Sequence, residues 1–186
     1  MCQSQNIEDK KREFEEIAFQ YMDSLYGAAL KMTRDSTDAH DLVQDAYLRA
    51  YRFFSKFEKG TNFKAWLFKI LKNVYINKYR KALKEPLMVD ISDVEASGGL
   101  ANSVTPESEI FDRLLDDDIS KAIDELPEEF RLAITLSDMY GFSYKEVAEI
   151  LERPIGTVMS RLHRGRKLLR KSLYEYAKKR GYIKDS

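Results

Sequence analysis

Residues 143–173, SYKEVAEILERPIGTVMSRLHRGRKLLRKSL, predict two helices joined by a short turn. Ser143 and Glu146 have the spacing of a capping box, in which each side chain bonds the other residue's backbone N–H at a helix start. The turn is predicted at residues 152–155, because Pro154 disfavours helix in the residue before it and suits the beginning of the next helix. This layout is typical of a helix-turn-helix.

Both predicted helices have one apolar face. In the first helix it comprises Tyr144, Val147, Ala148 and Leu151. In the second helix it comprises Ile155, Val158, Leu162, Gly165, Leu169 and Leu173. Residues at steps of three and four share a helix face, so we expect both stripes to be buried. The opposite face of the second helix is basic, with no acidic residue between Arg153 and Tyr174. A solvated surface is one interpretation, but phosphate binding explains so uneven a cluster better.

The composition is that of a soluble globular protein with room for one or two small domains. The chain has 186 residues, of which 33% are charged and 44% hydrophobic. We expect a cytoplasmic protein, since no apolar run approaches the length of a membrane span and the first thirty residues lack the apolar core of a secretory signal. The single cysteine, Cys2, excludes an intramolecular disulfide or a multi-cysteine metal site. No metal site, cofactor or catalytic residue is predicted.

The net charge of zero conceals four blocks of alternating sign. Residues 1–48 carry five basic and ten acidic side chains, and residues 49–84 carry eleven basic and one acidic. Residues 85–129 carry two basic and fourteen acidic side chains, and residues 130–186 carry thirteen and six. The two basic blocks could each bind nucleic acid, so neutrality of the whole chain does not argue against DNA. The acidic blocks either shield the basic ones or are simply solvated.

Apolar residues recur at steps of three and four, and the alternation typical of strands is nearly absent. We therefore expect an all-α fold of two small helical domains joined by a flexible acidic linker. The domains are predicted at residues 1–83 and 105–186, with the linker at 84–104, where Pro, Gly, Ser and acids replace the periodic pattern. Helices before the helix-turn-helix are predicted at 9–32, from a turn at 34–37 to residue 57, at 63–83, at 106–123 and from 127 to before Gly141.

The third predicted helix has a face that mixes aromatic and basic residues. That face comprises Lys64, Phe68, Lys69, Lys72, Tyr75, Tyr79 and Arg80. Unstacked bases gain about 1–3 kcal/mol each by stacking on aromatic rings while lysines hold the backbone, so the pattern predicts binding of a single strand. The alternative is that Phe68, Tyr75 and Tyr79 pack against a neighbouring helix or the linker.

Two asparagines on this helix raise a separate question. The apolar stripe predicted for this helix comprises Phe63, Trp66, Leu67, Ile70 and Val74. Asn77 lies seven residues after Ile70, close to this stripe, where an amide without a partner costs about 1–3 kcal/mol. It either bonds local backbone near the helix end or lines a pocket for a base turned out of the stack. Asn73 presents the same choice.

Two long blocks resemble a known family when they are taken together. They are residues 38–81, DAHDLVQDAYLRAYRFFSKFEKGTNFKAWLFKILKNVYINKYRK, and residues 126–169, LPEEFRLAITLSDMYGFSYKEVAEILERPIGTVMSRLHRGRKLL. They are similar to regions two and four of a bacterial RNA polymerase sigma factor. The two-domain length resembles the extracytoplasmic function class, also called group four, and the resemblance covers residues 10–175.

The resemblance implies three binding surfaces. Docking on the clamp coiled coil of the polymerase β′ subunit is implied for Asp41, Leu42, Gln44, Asp45, Tyr47, Leu48, Arg49 and Tyr51. Reading of the minus-ten promoter motif as a melted strand is implied for Phe57, Lys59, Asn62, Phe63, Trp66, Lys69, Lys72, Asn73, Tyr75, Asn77 and Arg80. Reading of the minus-thirty-five motif in the major groove is implied for Thr157, Met159, Ser160, Arg161, His163, Arg164 and Lys167. The implied partners are core RNA polymerase through its β′ clamp and β flap, promoter DNA and an anti-sigma factor.

Finer features of the resemblance concern regulation and specificity. Residues 61–81 are especially similar to a subgroup controlled by zinc-containing anti-sigma factors that respond to thiol-oxidative stress. Met159 stands where many relatives have arginine, which affects promoter sequence. His40 stands where relatives often carry a carboxylate, which affects the surface that faces the polymerase.

The sequence thus predicts a sigma factor that directs promoter-specific initiation, for a stress regulon under anti-sigma control. The first alternative is a stand-alone helix-turn-helix regulator that binds duplex operators without polymerase. An enzyme is disfavoured, because the chain has neither a phosphate-binding glycine loop nor an HExxH motif. An adaptor that binds polymerase but never touches promoters would leave the basic face of the helix-turn-helix unexplained.

Overall fold

A computed structural model describes residues 2–82 and 117–183, and within these ranges every regular element is a helix. The all-α prediction is therefore confirmed. The predicted linker at 84–104 and most of the helix predicted at 106–123 lie outside the described residues.

Residues 2–82 form an N-terminal unit with four α-helices. They are α1 (Cys2–Ala18), α2 (Met22–Thr33), α3 (Ser36–Phe53) and α4 (Phe63–Ala82). Helices α2, α3 and α4 pack against one another around a core that includes Leu25, Leu42 and Leu67, all fully buried. The turn between α2 and α3 forms as predicted, because Arg34 ends α2 with a left-handed φ of 63° and the Asp35 side chain accepts a hydrogen bond from the backbone of Asp38.

The prediction of a single helix at 9–32 is wrong, since a 3₁₀ turn at Phe19–Tyr21 separates α1 from α2. The turn has a stabilising partner on another helix. The Tyr47 hydroxyl of α3 donates a hydrogen bond of 3.0 Å to the backbone carbonyl of Ala18, the last residue of α1. A carbonyl at a helix end lacks an intrahelical donor, so this contact compensates for the break.

The helices that the structure describes within residues 117–183 form a C-terminal unit. They are α5 (Asp117–Asp124), α6 (Glu128–Ile134), α7 (Tyr144–Leu151), α8 (Ile155–Ser172) and α9 (Tyr174–Lys179). A π-helical turn at Thr135–Met139 continues α6 to the residue before Tyr140, and Gly141 then adopts a φ of 71°, which glycine accommodates without strain. The predicted end of this helix before Gly141 is confirmed.

The helix-turn-helix forms from α7 and α8 as predicted. Both hydrogen bonds of the capping box between Ser143 and Glu146 are present at the start of α7. Glu152 ends α7 in a left-handed conformation, and Pro154 precedes the first residue of α8. Helix α8 crosses α6 closely at Gly165, where a Cβ atom would lie 3.1 Å from Cγ1 of Ile134.

The two units share one continuous apolar core. Helices α2 and α4 of the N-terminal unit pack against α6 and α7 of the C-terminal unit. At the centre of this contact lies Phe68, which is fully buried. No helix among residues 2–82 and 117–183 has the length and apolar character that a membrane crossing requires.

Candidate nucleic-acid and polymerase interfaces

One edge of α4 carries lysines predicted to bind DNA, and two of them contact a single carboxylate of the C-terminal unit. Nζ of Lys72 lies 2.9 Å from Oε2 of Glu152, and Nζ of Lys69 lies 3.3 Å from Oε1. The Lys72 side chain is only 2% exposed, whereas that of Glu152 is 53% exposed. The hydrogen bond from Lys72 holds the pKa of Glu152 below its usual value, so the carboxylate stays charged. One acidic residue thus neutralises two cations.

Residues at the beginning of α4 also form hydrogen bonds with the C-terminal unit. Nζ of Lys64 donates a hydrogen bond of 2.8 Å to the backbone carbonyl of Tyr140 and lies 4.8 Å from the ring centroid of Phe142. The side-chain amide of Asn62 donates to Glu146, while its Oδ1 accepts from the backbone of Ala65. Asn62 therefore caps α4 and bonds the other unit at once.

The aromatic residues of α4 also pack against the C-terminal unit. Phe68 makes edge contacts with the rings of Tyr140 and Phe142, at centroid distances of 5.3 Å and 5.0 Å. Burial, with a smaller contribution from Glu128, raises the pKa of Tyr75. The expectation of an exposed Phe68 and Lys72 is wrong, and the packing alternative is confirmed for Phe68. The side chain of Tyr79 lies outside the described residues.

A second group of contacts joins α2 to α5 and α6. The Lys31 side chain is almost fully buried and bonds Ser120 and Asp124, with 3.1 Å from its Nζ to Oδ2 of Asp124. Nε of Arg131 donates 2.7 Å to the backbone carbonyl of Lys31, and burial lowers the pKa of Arg131. Both cations are therefore satisfied by polar groups across the contact between the units.

We call the contacts between α4 and the C-terminal unit the clasp. Its residues are Asn62, Lys64, Lys69 and Lys72 on one side and Tyr140, Glu146 and Glu152 on the other. Three of the residues predicted to read the minus-ten strand, namely Asn62, Lys69 and Lys72, belong to the clasp. We call the arrangement in which the clasp contacts are made the closed form. In the closed form the polar atoms of these three residues bind side chains of the C-terminal unit.

The other predicted minus-ten residues lie around the start of α4. Phe57 and Trp66 are half-buried, with ring centroids 5.2 Å apart, and both contact the buried Phe63. Lys59 lies in the preceding loop and forms an ion pair with Glu13 of α1. These aromatic rings form a partly open cluster beside the loop at residues 58–62.

Farther along α4, the two asparagines differ in exposure. Asn73 is half-buried, whereas Asn77 is exposed. The prediction that Asn77 lies close to the buried stripe is wrong, because Asn77 is exposed whereas the buried apolar residues of α4 are Phe63, Leu67, Phe68, Leu71 and Val74. The side chain of Arg80 lies outside the described residues.

The outer face of α8 brings together most of the residues predicted to read the minus-thirty-five motif. Its exposed residues include Met159, Ser160, His163, Arg164 and Lys167, with Thr157 half-buried at its edge. Buried Val158, Leu162 and Gly165 occupy the opposite side of the helix, as predicted. The face is thus polar and basic, and it has the length of about three helical turns.

Two arginines of α8 bind acidic residues within the C-terminal unit. Arg161 is 20% exposed, and its NH2 atom lies 2.9 Å from Oε2 of Glu129. Arg166 binds both carboxylate oxygens of Asp138 and also the Tyr144 hydroxyl, and the hydrogen bonds to Asp138 raise its pKa. Arg161 is therefore set apart from the exposed face, and the shielding interpretation of the acidic blocks is confirmed for its pair with Glu129.

The apolar stripes predicted for the helix-turn-helix differ from the structure at two positions. Tyr144 is 37% exposed, and its hydroxyl accepts a hydrogen bond from Arg166. Ile155 is 50% exposed at the beginning of α8, although its spacing predicted burial. Ile155 is the first residue of α8, so no earlier turn of the same helix lies beside it.

The predicted polymerase-binding residues of α3 fall into two groups. The first group is exposed and comprises Asp41, Gln44, Leu48 and Arg49, of which Leu48 is 60% exposed. Asp45 is half-buried beside this group and forms an ion pair with Lys78 of α4. Leu42 is fully buried, and Tyr47 and Tyr51 pack on Phe14. Burial, with a further effect of Asp23, raises the pKa of Tyr47 to about 12. The second group stabilises the fold. Only the first group is exposed enough for a partner protein to contact.

The residues that join the two units are not predicted by the sequence pattern. Lys31, Arg131 and Glu152 carry charges, and their partners lie about 80 to 100 residues away along the chain. One signal was available for Lys31, which stands between the apolar residues Leu30 and Met32 in the predicted helix. A charged residue in such surroundings indicates either a partly solvated edge or a buried pair.

Comparison with known proteins agrees with this arrangement. Residues 19–85 match the model of Sigma-70 region 2, and residues 116–169 match that of Sigma-70, region 4. The ECF RNA polymerase sigma factor SigW of Bacillus subtilis is 34% identical over 86% of this chain and 88% of that protein. SigE of Mycolicibacterium smegmatis is also 34% identical, over 88% of this chain, which spans only 63% of that longer protein.

A solved structure supports the same fold at the level of coordinates. The sigma factor RpoE from Bartonella quintana, solved with the anti-sigma factor NepR, has a TM-score of 0.67 and 31% identity, with coverage of 88% of this chain and 98% of that one. Two helical units that match regions 2 and 4 in this order define a sigma-70 type factor. The chain belongs to the ECF family of RNA polymerase sigma factors. It binds core RNA polymerase and directs promoter-specific transcription initiation.

Proposed function

We propose that this sigma factor docks on the polymerase clamp through α3 and places two DNA readers, α4 and α8, at a fixed separation on the promoter. Residues 1–83 would serve polymerase binding and minus-ten recognition, residues 84–104 would connect, and residues 105–186 would serve minus-thirty-five recognition. Linking two weak readers makes the second contact effectively intramolecular, so their affinities combine into specificity. The chain acts in the cytoplasm and catalyses no reaction of its own.

The exposed polar and basic face of α8 is the observation that carries this proposal. Ser160, His163 and Arg164 point away from the core on the second helix of a helix-turn-helix, which in such motifs enters the major groove. Arg164 has the side chain that pairs with guanine edges, and Lys167 is placed to hold phosphate. Arg161 supports this face from the side through its pair with Glu129.

The minus-ten reader is proposed along α4 and the segment just before it. The rings of Phe57 and Trp66 suit stacking with unpaired bases, and Lys69 and Lys72 suit the phosphates between them. Asn73 and Asn77 offer amides for a base turned out of the stack. Because Glu152 binds both lysines in the closed form, promoter binding requires the clasp to open, and the closed form is the unloaded state.

An anti-sigma factor is the proposed regulator. Support comes from the relative of 31% identity that was solved in complex with the anti-sigma factor NepR. The similarity of residues 61–81 to the thiol-oxidative-stress subgroup supports a zinc-containing anti-sigma factor and a stress regulon. The β flap of the polymerase is the proposed partner of the C-terminal unit.

Transcription with purified components tests the proposed function. Core RNA polymerase, with and without this protein, is supplied with a library of genomic fragments, and the transcripts are sequenced. We expect initiation at a defined set of promoters only when the protein is present. A band-shift assay on the same fragments separates the alternative, since a stand-alone regulator would bind duplex specifically at physiological salt without core enzyme. Absence of selective initiation would contradict the proposal.

A further inference from the structure

The leading end of α8 exposes two large apolar side chains that do not belong to the core. Ile155 is 50% exposed and Met159 is 52% exposed. They are four residues apart, so their side chains lie next to each other along one edge of the helix. Both side chains are therefore available for an apolar contact with a partner of the helix-turn-helix.

The surroundings of this pair identify the kind of partner. Polar and basic residues flank it, with Arg153 exposed in the preceding turn and Ser160, His163 and Arg164 exposed on the neighbouring face of α8. A protein-binding patch has an extended apolar centre, whereas only two apolar side chains are exposed here among hydrogen-bond donors and cations. The charge complements a polyanion that also presents small apolar groups.

Duplex DNA is such a polyanion, and its major groove exposes one apolar group on the base edges, which is the C5 methyl group of thymine. Resting on the proposed placement of α8 in that groove, we propose that Ile155 and Met159 contact thymine methyl groups and make the protein prefer thymine in the minus-thirty-five motif. The rise between the two residues is about 6 Å, and base pairs are stacked about 3.4 Å apart. The two contacts therefore fall within about two base-pair steps.

Replacing thymine by deoxyuridine tests this inference, because only the methyl group is lost while base pairing and the O4 acceptor remain. Promoters are first selected with the holoenzyme from duplexes with a randomised upstream region. In the selected sequence, each upstream thymine is then replaced by deoxyuridine, one position at a time. We expect about fourfold weaker holoenzyme binding at one or two neighbouring positions, which is the factor for one methyl group removed from an apolar contact.

Variants assign the contact to a side chain. Holoenzyme with Met159→Ala should bind thymine and deoxyuridine templates equally at the position that Met159 contacts, and any discrimination due to Ile155 should remain. Leu168→Ala is the matched control, since Leu168 is 41% exposed on the opposite side of α8, and it should leave discrimination unchanged at both.

Three results would overturn the inference. Selective initiation with equal binding of thymine and deoxyuridine at every upstream position would contradict methyl contacts and leave the proposed function intact. Equal weakening of both templates by Met159→Ala would mean that Met159 binds something other than a methyl group, such as a protein partner. Absence of selective initiation with the wild-type protein would overturn both the inference and the proposed function on which it rests.

Discussion

Glu152 and Lys72 form an ion pair of 2.9 Å between the two helical units, with the lysine buried and the carboxylate half exposed. The two partners therefore differ in how much the loss of the other would cost. Removal of Glu152 would leave a cation buried without its partner, whereas Glu152 itself remains in contact with water. Breaking a buried pair in this way costs more than the pair contributes in an exposed setting. Loss of Glu152 should therefore destabilise the closed form more than loss of a carboxylate that is paired with an exposed lysine.

Glu152→Gln should shift the molecule toward an open form. The expected cost lies between the about 1 kcal/mol of an exposed pair and the about 3 kcal/mol of a buried one. Energy transfer between dyes on the two units measures the separation. Glu149→Gln is the control, because Glu149 is exposed on the same helix and its substitution removes the same charge. Identical distance distributions for the two variants would argue against the clasp.

Acid should open the clasp as well. The pKa of Glu152 is lowered in the closed form by Lys72, so the closed form binds this proton less readily than the open form does. Its stabilisation is complete above the ordinary glutamate value of 4.5 and is lost as the pH falls through the lowered value. Energy transfer followed downward from pH 6 should show opening in that range. Glu146, whose pKa is lowered by Ser143, titrates nearby, so the effect of Glu152 is the part that Glu152→Gln abolishes.

Alanine substitutions of Arg164 and Lys167 should cause different defects in promoter binding. Arg164→Ala should cost about 1–3 kcal/mol at one upstream promoter position, as a bidentate base contact does. Lys167→Ala should weaken all promoters about equally and flatten the salt dependence, as expected for a phosphate contact. Binding of the holoenzyme to a panel of single-base promoter variants at several salt concentrations distinguishes the two patterns. A uniform loss for Arg164→Ala would remove it from base recognition.

Asn77→Ala should impair promoter melting more than initial binding. Asn77 is exposed, so its truncation should leave thermal stability within about 0.5 kcal/mol of the wild type. Permanganate reactivity of unpaired thymines measures melting, and a band shift of the holoenzyme measures binding. Normal permanganate reactivity would show that this amide has no part in the base pocket.

Leu48→Ala should lower the affinity for core polymerase and leave the fold intact. Leu48 is 60% exposed on α3, so it contributes little to the core of the free protein. Tyr47→Phe provides the contrast, because it removes the hydrogen bond to Ala18 and should reduce stability by about 1 kcal/mol. Titration with labelled core enzyme and thermal unfolding separate the two effects. An unchanged polymerase affinity for Leu48→Ala would place docking elsewhere.

Local signals predicted the helix-turn-helix accurately. The capping box of Ser143 and Glu146 and the position of Pro154 depend on neighbours within a few residues, and both take their predicted places. The helix that starts at Phe63 was also predicted, because its apolar spacing spans several turns. Such features require no knowledge of what lies across the core.

Contacts between distant segments account for the errors. Phe68 and Lys72 share a face with exposed residues in the helical pattern, yet α7 and its flanking turns cover that face. The break at Phe19–Tyr21 carries no glycine or proline, and its partner Tyr47 lies 29 residues beyond Ala18. Ile155 follows the core spacing, but α8 has only begun at that point. Periodicity describes one helix at a time and so cannot report which second helix covers it.

The burial of Lys72 makes this residue a built-in reporter of occupancy. Its amine is shielded while the units are together, whereas the Lys59 side chain is 76% exposed in the same molecule. An acylating reagent applied to growing cells should modify Lys59 readily and Lys72 only in molecules that have parted. The ratio of the two modified peptides in a mass spectrum would then measure the fraction of molecules whose two units have separated and whose Lys72 is not covered by DNA.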